Sequence, residues 1–184
     1  RVLAENGFNV AERARFVAGH SLGEYSALVA AGTFELADGA RLLKTRGQAM
    51  QQAVPVGEGA MAALLGLDME TARIVADEAA QGEICTAAND NAPGQVVSSG
   101  AREAVERAIV IAKEHGAKRG VLLPVSAPFH CALMAPAAEV MAEALANVRM
   151  ETPCVPLVAN ITAGAVVSAP EIRRLLVEQV TGMV

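Results

Sequence analysis

Gly19-His20-Ser21-Leu22-Gly23 is the stretch of sequence that decides the fold of this chain. The apolar run Phe16-Val17-Ala18 precedes it, and a helical pattern follows from Glu24 to Ala31. The order of strand, sharp turn and helix is the context in which a G-x-S-x-G sequence forms a nucleophile elbow, because glycine permits the strained turn and a close approach of strand and helix. A serine at the apex projects its hydroxyl above the sheet, beside the free N–H groups of a helix N-terminus. We therefore predict that Ser21 is a nucleophile; the alternative is an ordinary N-cap serine.

The bulk composition suits one domain, or one domain with an insertion. The 184 residues are 53% hydrophobic and 19% charged, which indicates a well-filled core. A net charge of −5, few aromatic residues and no Trp argue against a nucleic-acid surface. The three cysteines are widely spaced, which fits a reducing compartment and no metal site. Since no signal peptide and no membrane-spanning run is recognisable, we expect a cytoplasmic protein without membrane contact.

A turn-rich segment, Pro55-Val56-Gly57-Glu58-Gly59, separates two kinds of pattern. The pattern after it predicts strand, helix, strand, strand, helix and strand, at Met61–Gly66, Glu70–Ala79, Ile84–Ala88, Gln95–Ser99, Ala101–His115 and Gly120–Val125. That order is the split βαβ, ferredoxin-like arrangement. We predict an α/β protein in which residues 56–125 form a small inserted subdomain, and residues 1–55 and 126–184 form the large catalytic one.

The large subdomain is expected to be incomplete at both ends. The chain starts with Arg1 rather than Met, within the end of a helix that reaches Asn6, and it stops at Val184 in an apolar segment. We expect an internal piece of a longer protein. Its remaining elements are predicted as the strands Phe16–Ala18 and Val155–Val158 and the helices Ser21–Ala31, Leu36–Ala53, Ala135–Val148 and Ile172–Val180.

A serine nucleophile needs a general base, and the chain has three histidines. His20 adjoins Ser21 on the turn, so its side chain should point away from the hydroxyl. His115 closes a predicted helix, where a cation favours the helix dipole. His130 follows a buried strand, and active-site residues of α/β sheets collect at such strand ends. By elimination His130 is the candidate base, although a buried structural histidine is the alternative. No acidic residue stands out as its partner, so a backbone carbonyl could orient the ring.

Arg46 lies on the apolar stripe of the helix predicted from Leu36 to Ala53, beside Leu43 and Met50. One interpretation is an arginine that extends its charged end to solvent from a half-buried face. The other is a partly buried guanidinium that binds an anionic group, since its planar fork can hold a carboxylate through two hydrogen bonds.

Four blocks of the sequence carry a family resemblance. They are Gly19-His20-Ser21-Leu22-Gly23-Glu24-Tyr25-Ser26-Ala27-Leu28, Arg46-Gly47-Gln48-Ala49-Met50-Gln51, Asn91-Ala92-Pro93-Gly94-Gln95-Val96-Val97 and Pro124-Val125-Ser126-Ala127-Pro128-Phe129-His130. In order and spacing they resemble the malonyl-CoA:acyl-carrier-protein transacylases of bacterial fatty-acid synthesis, over most of the chain. The resemblance implies an α/β-hydrolase-like large subdomain with a ferredoxin-like insertion.

The resemblance also implies roles for individual residues. Ser21 and His130 correspond to the catalytic dyad, and the main-chain carbonyl of Gln179 to the group that orients the histidine. Arg46 corresponds to the arginine that holds the free carboxylate of the malonyl group. The N–H of Leu22 corresponds to one half of the oxyanion hole, and Phe129 to a bulky residue that narrows the acyl pocket; a core-filling aromatic is the alternative for Phe129. The family's N-terminal Gly-Gln-Gly-Ser-Gln segment, which supplies the second oxyanion donor, is absent from the sequence, so this chain alone could be inactive.

The implied reaction moves a malonyl group from coenzyme A to the phosphopantetheine thiol of acyl carrier protein through a malonyl-serine, without a cofactor. We expect a monomer whose partners are malonyl-CoA and acyl carrier protein. Two other functions stay open. A serine thioesterase or esterase of the hydrolase fold should lack the inserted subdomain and the arginine on a buried stripe. A ferredoxin-like interaction module with a decayed elbow would not react with serine-directed reagents.

Overall fold

The computed structural model describes residues 2–184, so Arg1, the first residue of the expected N-terminal helix, lies outside it. The helices are α1 (Val2–Glu5), α2 (Val10–Arg13), α3 (Leu22–Ala30), α4 (Leu36–Gln52), α5 (Met69–Ala80), α6 (Arg102–Glu114), α7 (Ala135–Ala146) and α8 (Ala169–Thr181). The strands are β1 (Val17–Ala18), β2 (Gly59–Leu65), β3 (Cys85–Ala92), β4 (Gln95–Ala101), β5 (Arg119–Leu122), β6 (Leu157–Ala159) and β7 (Gly164–Val166). A short 3-10 turn, Ala132–Met134, precedes α7.

The strands form two separate sheets. In the first, β1 pairs in parallel with β6, with Val17 opposite Leu157, and β7 is antiparallel to β6. In the second, the order β3-β4-β2-β5 is antiparallel throughout. Its elements follow one another as β2, α5, β3, β4, α6 and β5, which is the ferredoxin-like arrangement that the periodicity predicts. This unit is inserted between α4 and α7 of the part that carries the first sheet.

Each sheet has its own hydrophobic core. Large side chains of the helices fill the core around the first sheet, among them Tyr25, Leu28, Met141, Leu145 and Leu176. Helices α5 and α6 contribute mostly alanine to the core beneath the second sheet, and these small residues let the helices lie close to the strands. The second unit contains all four strands of the antiparallel sheet within residues 59–122.

Strand β3 departs from the sequence prediction. The sequence predicts that it ends at Ala88 and that residues 89–94 connect it to the next strand at Gln95, but the strand continues to Ala92. Its pairing with β4 shifts register at two places, between Ala87 and Asn89 and between Asp90 and Ala92. Bulges and an edge position accommodate residues of low strand propensity. As a consequence Asn91 lies on an extended strand rather than on a flexible loop.

Smaller differences concern the short elements. Strand β5 ends at Leu122 rather than Val125, β6 begins at Leu157 rather than Val155, and neither α2 nor β7 was predicted. Elements of three or four residues are too short for a periodic pattern, so the sequence carries little signal for them. No helix within residues 2–184 has the length and apolar character needed to cross a bilayer.

Candidate active site

Ser21 lies at the apex of a tight turn between β1 and α3. Its backbone has φ 51° and ψ −106°, a conformation that is strained for a residue with a side chain. Gly19 makes the turn possible, because a Cβ there would lie 2.0 Å from the carbonyl carbon of Gly23. Ser21 occupies the N-cap position of α3, yet its side chain caps no helical N–H. The ordinary N-cap alternative is therefore wrong, and the hydroxyl is free for other partners.

Asn160 fixes the turn from the neighbouring strand. Its Oδ1 accepts the N–H of Ser21 at 2.7 Å, and its Nδ2 donates to the carbonyl of Gly19 at 2.8 Å. Asn160 directly follows β6, which pairs with β1, so it lies at the same edge of the sheet as the elbow. The sequence analysis gave it no role. The sequence feature that could have indicated Asn160 is its position just beyond the end of a strand, because functional side chains collect at the carboxyl ends of parallel strands.

His130 is brought to the hydroxyl of Ser21. The hydroxyl Oγ and Nε2 of His130 are 2.8 Å apart, and Nδ1 of the same ring lies 2.8 Å from the main-chain oxygen of Gln179. When Nδ1–H donates to that carbonyl, Nε2 carries the lone pair that faces the serine. Gln179 lies in the last turn of α8, where a main-chain carbonyl can accept a hydrogen bond from outside the helix. A main-chain oxygen thus occupies the position where many serine enzymes have a carboxylate.

Burial keeps the imidazole neutral. Desolvation lowers the pKa of His130 from 6.5 to about 4, the carbonyl of Gln179 opposes this shift, and the positive charge of Arg46 adds to it. The ring is therefore unprotonated, with a free lone pair, over the whole physiological pH range. The other two histidines do not reach the hydroxyl: His20 contacts Asn91 at 3.1 Å, and His115 contacts Glu78 at 3.0 Å on the surface.

Arg46 is buried at the base of the same cluster. It is only 6% exposed, so the interpretation that its charged end extends to solvent is wrong. One nitrogen, Nη2, donates to Oγ of Ser21 at 2.8 Å and to Oε1 of Gln179 at 2.9 Å. The guanidinium carbon lies 5.8 Å from the ring centroid of Tyr25. No carboxylate of the described residues forms an ion pair with Arg46, and its buried Nε has no partner among them. A buried cation with no carboxylate in direct contact is suited to an anionic ligand.

A cavity of about 390 Å³ opens over these groups, between the two sheets. Both subdomains contribute to its wall, which includes Ser21, Arg46, His130, Phe129, Met61 and Val97. Phe129 also packs against the core around the first sheet and against a small cluster of Met61, Ala88 and Val97, so it lines the cavity and fills the interior at once. Among residues 2–184, no group of three or more His, Cys, Asp or Glu side chains could hold a metal ion.

Leu22 and Gln179 stand outside the cavity wall. The Leu22 side chain is 55% exposed, so only its backbone N–H, at the first position of α3, can act at the site. Gln179 is fully buried beneath Ser21 and reaches the other groups through its carbonyl and its amide.

Glu24 is a buried acid that the sequence analysis missed. It is 1% exposed and accepts hydrogen bonds from Nε2 of Gln179 at 2.5 Å and from the N–H of Asn160 at 3.4 Å. Burial raises its pKa from 4.5 to about 7, against the opposing effects of Gln179, Asn160 and Arg46. The sequence feature that could have indicated Glu24 is its position in the first helical turn after the elbow. Ser21-x-x-Glu24 also matches the pattern of a capping box, but no capping box forms here, because the Ser21 side chain caps no N–H and the Ser21 N–H donates to Asn160.

Comparison with known proteins supports the resemblance seen in the sequence. Residues 7–178 match the acyl transferase domain family. Malonyl CoA-acyl carrier protein transacylase of Haemophilus influenzae is 51% identical over 163 residues, which are 89% of this chain and 52% of that protein. The chain spans about half the length of the curated relatives it matches.

Solved structures agree with the fold. The crystal structure of acyl-carrier-protein-S-malonyltransferase from Bartonella henselae superimposes with a TM-score of 0.96 at 55% identity, covering 100% of this chain and 58% of the other. A malonyl-transacylase in complex with its type II PKS acyl-carrier protein gives a TM-score of 0.95 at 46% identity, with 100% and 59% covered. The fold class predicted from the sequence, a hydrolase-like α/β part with a ferredoxin-like insertion, is thereby confirmed. Because the family match extends over nearly the whole length of the sequence, the chain belongs to the acyl transferase domain family.

Proposed function

We propose that the protein transfers a malonyl group from coenzyme A to the phosphopantetheine thiol of acyl carrier protein, through a malonyl-serine on Ser21. One observation carries the proposal. The same hydroxyl oxygen lies 2.8 Å from a neutral imidazole nitrogen and 2.8 Å from a buried guanidinium nitrogen. The first contact suits acyl transfer by a serine, and the second suits an acyl group that ends in a carboxylate.

In the first half-reaction, Nε2 of His130 removes the proton of the Ser21 hydroxyl while Oγ attacks the thioester carbonyl carbon. The carbon–sulfur bond then breaks, and the leaving thiolate of coenzyme A takes the proton from His130. The carbonyl oxygen gains negative charge on the way, and the N–H of Leu22 at the start of α3 is the donor proposed to hold it. The main-chain oxygen of Gln179 stabilises the imidazolium that forms in between.

In the second half-reaction, the pantetheine thiol of the carrier protein occupies the position that coenzyme A has left. His130 takes the thiol proton, the sulfur attacks the malonyl ester, and the proton returns to Oγ of Ser21 as the ester bond breaks. The chemistry is the first half-reaction in reverse with a second thiol, so it balances without a redox partner or a cofactor. We infer that the protein works without a cofactor in the cytoplasm, where coenzyme A thioesters and the carrier protein are found together.

Arg46 is proposed to select the acyl group. The carboxylate of a malonyl ester stands two carbons beyond the acyl carbon, so a guanidinium already in contact with Oγ is within its reach. Burial strengthens the attraction, because charges interact more strongly away from water. Phe129, on the cavity wall, would leave little room for a branch on the central carbon and so favour malonyl over methylmalonyl.

We infer that residues 1–55 and 126–184 form the large subdomain and residues 56–125 the small one, with the cavity between them. Every group of the proposed machinery comes from one chain, so catalysis requires no second copy, in line with a monomer. Nothing observed favours the alternatives. A hydrolase has no use for a buried arginine beside its nucleophile, and a decayed elbow would not keep Ser21 and His130 in contact.

The test is labelling with radioactive malonyl-CoA, in the protein expressed with the flanking sequence of its gene. Ser21 should take up the label, Ser21→Ala should not, and added holo acyl carrier protein should remove it. Persistent labelling of Ser21→Ala would exclude Ser21 as the nucleophile. Loss of label at the same rate with and without carrier protein would instead identify a thioesterase.

A further inference from the structure

We propose that Glu24 is a positioning residue that holds the side-chain amide of Gln179 in one orientation and, through it, directs Arg46 toward the acyl carboxylate. The inference rests on the proposed malonyl transfer, because it assigns the origin of the selectivity at that same site. Glu24 does not line the cavity, so it acts through Gln179 rather than on the acyl group itself.

The geometry around the Gln179 amide is directional. Its Nε2 lies 2.5 Å from Oε2 of Glu24, 3.0 Å from the main-chain oxygen of Ser21 and 3.3 Å from Oδ1 of Asn160. Its Oε1 accepts from Nη2 of Arg46 at 2.9 Å. The NH₂ end is thus surrounded by acceptors, while the oxygen faces a donor.

Glu24 enforces this orientation by its chemistry. Above its pKa of about 7 the Glu24 carboxylate is ionised and can only accept hydrogen bonds, so the NH₂ end of Gln179 must then face it. If the amide turned over, its oxygen would lie against the carboxylate and its NH₂ group against the guanidinium of Arg46. Two buried groups would then lose their partners, at a substantial cost for each. The carboxylate therefore keeps an acceptor in front of Arg46.

The indirect contact leaves the guanidinium available. A carboxylate in direct contact with Arg46 would occupy its fork and compete with the acyl carboxylate. With Gln179 between them, the negative charge of Glu24 still acts favourably on Arg46, but one nitrogen, Nε, has no partner in the described chain. Glu24 thus stabilises a buried cation without filling its binding positions.

The Ser21–His130 pair has supports that do not involve this amide, although Nε2 of Gln179 also contacts the main-chain oxygen of Ser21 at 3.0 Å. The ring of His130 is held by the main-chain oxygen of Gln179, and the side chain of Asn160 fixes the turn. Loss of Glu24 should therefore impair the choice of acyl group more than acyl transfer as such. A purely structural role of Glu24 would instead lower the transfer of both acyl groups to the same extent.

Glu24→Gln is the most informative variant. It keeps the shape of the side chain but replaces a group that only accepts hydrogen bonds with an amide that can donate as well as accept. Two facing amides can form a hydrogen bond in either orientation, so Gln179 would be free to turn over. The measurement is kcat/KM for acylation of Ser21 by malonyl-CoA and by acetyl-CoA, in the protein with its native flanking sequence. We expect malonyl transfer to fall on the order of tenfold, a size typical of coupling within one buried network, while acetyl transfer stays within about twofold.

Two further variants complete the experiment. Glu24→Asp keeps an acceptor-only group and should restore part of the malonyl preference. Leu28→Ala, at a buried position on the same helix and outside the network, controls for lost stability and should leave the ratio of the two rates unchanged.

The inference is overturned if Glu24→Gln leaves the ratio unchanged, whether both rates stay the same or both fall together. If Glu24→Gln does not fold, the ratio measured for Glu24→Asp decides, because its shorter carboxylate should shift the ratio toward acetyl. A wild-type protein that takes no label from malonyl-CoA on Ser21 would instead refute the proposed function.

Discussion

Nη2 of Arg46 and Oγ of Ser21 lie 2.8 Å apart, so the group that we propose for selection of the acyl chain touches the proposed nucleophile directly. The two residues are 25 positions apart: Arg46 lies on α4, and Ser21 lies on the turn before α3. The arginine donates to the hydroxyl, and Nε2 of His130 lies 2.8 Å from the same oxygen. An acyl group bound to Oγ must displace the arginine, and a carboxylate offers it a new acceptor.

Arg46→Ala should therefore abolish the preference for malonyl without abolishing acylation. We expect malonyl labelling of Ser21 to fall by about 10² or more, the cost of removing one partner from a buried charge pair. Acetyl labelling should continue. Arg41→Ala is the matched control, because Arg41 lies on the same helix and its side chain is 72% exposed in an ion pair with Asp38. Unchanged malonyl transfer in Arg46→Ala would make Arg46 a structural residue only.

His130 should keep the reaction active in mildly acidic solution. Its pKa is lowered to about 4 by burial, so the imidazole stays neutral well below the ordinary value of 6.5. We expect the rate of acetyl labelling of Ser21 to stay level down to about pH 5 and to decline toward pH 4. The acetyl group is the better probe, because its transfer does not depend on the contacts of Arg46. A decline centred near pH 6.5 would show that the ring is not desolvated during the reaction.

The elements that the sequence could predict are those with a long periodic pattern or a local motif. Helices α4, α5 and α6, the antiparallel sheet and the elbow at Ser21 are of this kind. By contrast, the contacts of Asn160 and Glu24 depend on which strands and helices become neighbours. Ser21 and Asn160 are 139 positions apart, and no local pattern records their hydrogen bond. The sequence also could not decide whether Arg46 is buried. The apolar stripe of α4 shows which face of the helix packs inward, but not how much of that face other elements cover.

Glu24 and His130 should have opposite effects on the pH dependence of stability. Glu24 binds a proton more tightly in the folded state, with a pKa of about 7 against 4.5, so it loses about 3 kcal/mol of stability as the pH rises through that window. His130 binds a proton less tightly when folded, about 4 against 6.5, so it loses a similar amount as the pH falls through its own window. The two effects nearly cancel in the unaltered protein.

Single variants should reveal each effect. Relative to the unaltered protein, Glu24→Gln should gain stability as the pH rises from 4.5 to 7, because it lacks the raised pKa. His130→Gln should lose stability over nearly the same range. Urea unfolding at several pH values measures both differences. Parallel curves for Glu24→Gln and the unaltered protein would show that Glu24 titrates in the folded state as it does in the unfolded chain.

The two glycines of the elbow should differ in what they tolerate. A Cβ on Gly19 would lie 2.0 Å from the backbone of Gly23, so Gly19→Ala requires a movement of the main chain. We expect it to lower the melting temperature strongly and to prevent labelling of Ser21. A Cβ on Gly23 meets no atom within 4 Å, and Gly23 lies inside α3, where alanine is the better helix former by about 0.5–1 kcal/mol. Gly23→Ala should therefore fold with an equal or higher melting temperature, although both glycines belong to the motif. The opposite order of melting temperatures would mean that the close contact between Gly19 and Gly23 does not hold the turn.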